Sequence, residues 1–148
     1  MTMDNRSKVD KTAPAKQLKG KKTAQKVKPK ENIIETLEQE TSKTFIIVEI
    51  IEYIPNSVVI KTIIKKTTGN VTVTSVDTGE ALTERTSPFD TFIQVIDGKA
   101  EVLINGESNI LSAGESIIIP AHSQNIIKAN ERFKIISTVI KSGYDEVS

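Results

Sequence analysis

The sequence predicts an all-β protein, a small antiparallel sandwich or barrel, on three observations. From residue 44 onward, runs of Ile, Val, Thr and Phe are cut by turn residues every eight to twelve positions, the spacing of short antiparallel strands. Asp97-Gly98 and Asn105-Gly106 stand between apolar runs, and such pairs favour type I′ hairpins because both central residues accept positive φ. No stretch after residue 43 carries a sustained helical period.

The elements follow in order. Residues 1–30 hold ten Lys or Arg against Asp4 and Asp10 and almost no large apolar side chain, so ordering them costs backbone entropy with little burial in return. They read as a disordered Lys-rich tail. Residues 31–43 place Ile33, Ile34 and Leu37 at helical spacing among acids, which suits a short linker or amphipathic helix. The body, 44–148, divides into strands at roughly 45–53, 58–65, 71–76, 82–86, 91–96, 99–104, 108–111, 116–119 and 125–140, the last broken near Asn130. The breaks fall at Pro55-Asn56, Gly69-Asn70, Asp97-Gly98 and Asn105-Gly106. Within strands, Val71/Val73, Ala100/Val102/Ile104 and Phe133/Ile135 alternate as core positions.

Charge divides the chain as sharply as hydropathy does. The tail carries +8 and residues 31–148 carry −7, which sum to the formal +1 of the whole chain. Cysteine is absent, so disulfides, thiolate metal sites and cysteine nucleophiles are excluded. The tail lacks the continuous apolar stretch of a signal peptide. The longest apolar runs fall far short of the roughly 20 residues a spanning helix needs, so no membrane span is expected. A cytoplasmic location is the expectation.

Glycine and proline spacing then gives a family likeness. Gly79 and Gly98 fit the glycine slots of the motif G-x5-H-x-H-x3-E-x6-G, and Gly114 and Pro120 fit G-x5-P-x-G-x2-H-x3-N within AGESIIIPAHSQNIIKA, with 15 residues between the motifs. In this the chain resembles the cupin family over about residues 45–141. The resemblance implies a β-jelly-roll barrel of the small, RmlC-like kind. It also implies a divalent metal held by three histidines and a glutamate, but here those slots hold Arg85, Ser87, Asn125 and, for the glutamate, Thr91. His122 occupies a glycine slot and Ala129 the asparagine slot.

These substitutions set the functional expectation. First-row metals want imidazole or carboxylate donors, and a hydroxyl is a weak substitute. Arg85 never deprotonates and offers only donors, so it repels a cation. No metal and no other cofactor is therefore expected. Given the implied fold, Arg85, Ser87, Thr91 and Asn125 converge on the barrel mouth as a polar cluster with one fixed positive charge, fit either for a small anionic ligand or for an internal pair of Arg85 with Glu84 or Asp90. His122, the only histidine, reads first as a turn or rim residue and second as a member of that cluster.

Three function classes follow. The first is a non-metal cupin acting as a small-molecule-binding or structural module, paired as a homodimer because FIIVEIIEYI and SVVIKTIIKK are apolar on both faces. The second is a cupin-type isomerase, epimerase or dioxygenase with a displaced or absent metal site. The third is a module bound to nucleic acid or an anionic surface through residues 1–30, for which the tail has lysines but no aromatic residues.

Overall fold

The computed structural model describes residues 32–35, 38–84 and 86–141. The Lys-rich tail and Arg85 lie outside the described residues, as does the side chain of Glu84.

Nine strands form among the described residues: β1 (Ile33–Glu35), β2 (Val58–Lys66), β3 (Gly69–Val76), β4 (Ala81–Glu84), β5 (Thr91–Ile104), β6 (Glu107–Ser112), β7 (Ser116–Ile119), β8 (Asn125–Lys128) and β9 (Phe133–Ile140). They pair in the order β1-β2-β3-β9-β5-β8-β4, with β6 and β7 joined to β5. Only the β1–β2 pair is parallel; the other described pairs are antiparallel. Strand β5 belongs to two sheets. Its first half pairs with β9 and β7, and its second half pairs with β6 and β8. This shared, bent strand curls the sheets into a jelly-roll barrel.

The bend corrects one sequence expectation. Asp97-Gly98 is not a hairpin turn but an irregularity inside β5, where Lys134 pairs with Asp97 while Ile135 pairs with Val95, leaving Ile96 as the extra residue of a bulge. Gly98 has φ +77°, and a Cβ there would collide with the Arg132 carbonyl oxygen. The glycine lets β9 approach the bend rather than letting the chain reverse. Asn105-Gly106 does make the expected turn, with φ 51° and 87°. Gly69-Asn70 opens β3 instead of breaking it, and the reversal falls on Thr67 and Thr68.

The segments before β2 also differ from expectation. Residues 33–35 form an edge strand rather than a helix, with Lys61 paired to Glu35 at 3.6 Å. Residues 45–53 are not a strand. A 3-10 turn at Ile47–Glu49 begins an irregular segment whose Ile47, Ile50 and Ile51 recur at helical spacing on one side. They pack with Val59, Ile63 and Val73 on the outside of the first sheet. Three contacts fasten the segment: the Tyr53 hydroxyl donates to Asp97 Oδ2 at 2.5 Å, the Ser75 hydroxyl to the Glu52 carbonyl at 2.9 Å, and Lys134 Nζ to the Val48 carbonyl at 2.7 Å.

The main core lies between the sheets and includes Val76, Val95, Ala100, Val102, Phe133 and Ile135, all essentially inaccessible to water. The Ala100/Val102 and Phe133/Ile135 alternations thus face inward as expected. Val73 is buried too, but on the outer side beneath Ile51, and Thr72 and Thr74 take the inward positions on β3. No helix among the described residues is long and apolar enough to cross a membrane.

Candidate functional site

The inward faces of the strands leave a cavity of about 270 Å³ inside the barrel. Ser87, in the loop after β4, Thr91, the first residue of β5, and Asn125, the first residue of β8, all line it. Three of the four motif slots therefore line one cavity.

Two loops form the rim, joined through their backbones. The Ala121 amide donates to Asp90 Oδ1 at 2.8 Å and the His122 amide to the Ser87 carbonyl at 2.6 Å. Within the loops, the Ser87 hydroxyl accepts from the Phe89 amide at 3.1 Å and the Ser123 hydroxyl donates to the Pro120 carbonyl at 2.5 Å. Asp90 thus holds the rim together. His122 sits exposed in this turn with φ +67°, the left-handed conformation for which a glycine slot exists. It does not line the cavity, and its contribution to the site is the backbone bond to Ser87.

The lining also includes residues that the motif does not mark. Asn70, Thr72 and Thr74 come from β3 and Ser137 from β9, with Thr72 directly opposite Ser137 in the register. Leu82, Ile93, Ile119 and Ile127 supply hydrocarbon around them. The threonine alternation of VTVTSV was the available signal, but a period of two does not say which face turns inward.

Asn125 is the most constrained polar group here. It is only 7% exposed, and its Oδ1 is enclosed without a hydrogen-bond partner among the described residues. Such an orphaned acceptor is uncommon in a folded interior.

Away from the cavity, the electrostatics are structural. The Tyr53 ring lies beneath the Arg132 guanidinium at 4.3 Å and the Lys134 ammonium at 4.9 Å, a double cation–π contact. Burial, then the hydrogen bond to Asp97, pushes the phenol above its ordinary range. Glu101, on the outside of the second sheet, accepts from Ser108 at 2.7 Å and Asn130 at 2.8 Å, which hold its carboxyl below the usual range. Asp77 is lowered likewise, first by the backbone amide of Asn56 at 2.7 Å.

No protein-family model and no curated protein matches the sequence. Solved structures do match in fold. A conserved protein of unknown function from Streptococcus pyogenes aligns at TM-score 0.66 and 23% identity over 75% of this chain and 96% of its own. A cupin superfamily protein from Desulfitobacterium hafniense aligns at 0.64 and 19%, over 74% and 95%. A cupin 2 conserved barrel domain protein from Leptotrichia buccalis aligns at 0.62 and 29%, covering 64% of this chain and 46% of that one.

The chain has the cupin fold.

At three of the motif's four metal slots the donors do not fit a divalent cation. Ser87 and Thr91 offer neutral hydroxyls and Asn125 a neutral amide, none of which replaces imidazole or carboxylate for a first-row metal. Among the described residues no group of three or more His, Asp or Glu is placed to hold one elsewhere.

Proposed function

We propose that this cupin domain binds a small organic molecule in its barrel cavity by direct hydrogen bonding, without a metal. The observation that carries the reading is the convergence of Ser87, Thr91 and Asn125 on one cavity, with uncharged donors and acceptors at three of the motif's four metal-ligand slots. The lining mixes hydrocarbon with a few convergent polar groups, the usual chemistry of a small-molecule pocket. No acid–base pair stands in it among the described residues, so the lining supports binding rather than turnover.

The same reading takes the domain as a homodimer. Register places Ile118, Phe92, Thr138, Val71 and Ile64 in one row across the outer face of the first sheet. Ile118 is 61% exposed, Ile64 47% and Phe92 41%. The row carries no charge, so a second copy of the same face meets it without like-charge repulsion.

Native mass spectrometry of the full, tag-free chain tests both parts, joined to a thermal-shift screen of neutral, acidic and basic small molecules. The expected spectrum shows a dimer that converts to monomer in Phe92→Glu/Ile118→Glu, and the expected screen contains at least one compound whose stabilisation is lost in Thr91→Val/Ser87→Ala. A screen with no stabilising compound would retire the binding reading, and a wild-type monomer at micromolar concentration would retire the pairing.

A further inference from the structure

Resting on the binding reading above, we infer that the ligand is a compact neutral molecule with a hydrocarbon edge and an O–H or N–H donor that satisfies Asn125. Three observations converge on that chemistry.

The first is Asn125 itself. On β8 the side chains of Ile126 and Lys128 turn outward, whereas Asn125 and Ile127 turn inward and line the cavity. The Asn125 acceptor is enclosed and, among the described residues, unpaired, and an interior amide left in that state is costly to the fold. A leucine of similar volume would carry no such cost. The group makes physical sense when a donor is supplied from within the cavity.

The second is charge. None of the sixteen described residues that line the cavity is ionisable. A carboxylate or ammonium entering it would give up its hydration with no countercharge among these described lining residues, a penalty that hydroxyl dipoles repay only in part. The lining hydroxyls of Thr72, Thr74, Thr91 and Ser137 each donate or accept as required, which suits a neutral polar edge. Leu82 and Ile127 give the other edge a hydrocarbon surface.

The third is size. At about 270 Å³ the space exceeds the roughly 150 Å³ that accepts benzene and lies just under the roughly 300 Å³ at which drug-sized pockets begin. One substituted six-membered ring fits that interval.

A matched series tests the inference. Cyclohexanol, cyclohexanone, cyclohexanecarboxylate and cyclohexylammonium share a ring and differ in donor capacity and charge. Calorimetric titration into the full-length protein is expected to show cyclohexanol binding about tenfold more tightly than cyclohexanone, which brings no donor, with the two ions weaker still. In Asn125→Leu the alcohol and the ketone should bind equally, and the ligand-free variant should melt no lower than wild type. Should that variant fail to fold, Asn125→Thr keeps a hydroxyl acceptor and should retain the preference for the alcohol. Tightest binding by the carboxylate, or an alcohol preference that survives Asn125→Leu, would overturn the inference. If all four are ignored while other compounds occupy the cavity, the inference falls and the binding reading stands; if nothing binds, both fall.

Discussion

The two ends of the barrel interior obey different rules, and the register between β3 and β9 lays them side by side. At one end Phe133 pairs with Val76, both fully buried; two steps along, Ile135 meets Thr74; then Ser137 meets Thr72 and Val139 meets Asn70 beside the cavity. Hydrocarbon gives way to hydroxyl and amide along a single pair of strands. The filled end buries apolar side chains, while the other end stays hollow and polar. Polar groups and empty space both cost stability, and here they concentrate at one end.

The largest expected effects break the filled end. Gly98→Ala should prevent a native barrel from forming, because the added methyl meets the Arg132 carbonyl at the bend shared by both sheets and the residue must also hold φ +77°. Phe133→Ala, which only removes contacts, should cost about 3–5 kcal/mol. Ser137→Ala at the hollow end should cost about 1 kcal/mol or less. Denaturant melts of the three variants check the contrast, which a Ser137→Ala loss as large as that of Phe133→Ala would erase.

The smallest expected effect belongs to the outer surface. Asp77 and Glu101 both have carboxyls lowered by hydrogen bonds that exist only in the fold. A lowered native pKa gives stability that is present in full above the unfolded value, near pH 4, and fades as pH falls through the native one. The melting temperature should therefore drop below about pH 4, and by less in Asp77→Asn/Glu101→Gln, which has no such linkage to lose. Both groups are exposed, so the difference should be modest. An acid transition of equal size in the double variant would place its origin elsewhere.

What the sequence made legible was local backbone chemistry. Asn105-Gly106 turns as its chemistry requires, and the spacing of Gly79, Gly98, Gly114 and Pro120 carried the resemblance whose slots at Ser87, Thr91 and Asn125 line one cavity. What it did not show depended on partners distant in sequence. Val71 and Val73 alternate with Thr72 and Thr74, and only the segment around Ile51, packing from outside, makes the valine face the outer one. That segment also reads as a strand because its isoleucines are β-branched, although Ile47, Ile50 and Ile51 carry the helical interval. Asp97-Gly98 fits a hairpin equally well until the close approach of Arg132 is known. His122 drew notice as the lone imidazole, whereas its backbone conformation is what the rim uses.

We propose that this cavity recognises organic molecules and not metal ions. Calorimetric titration of the tag-free, chelator-treated protein with Mn²⁺, Fe²⁺, Ni²⁺ and Zn²⁺ tests it most directly. No saturable heat at micromolar metal and no rise in melting temperature are expected, in wild type or in Thr91→Val. Stoichiometric binding of any of the four that disappears in Thr91→Val or Asn125→Leu would contradict it and return the domain to the metal-binding cupins.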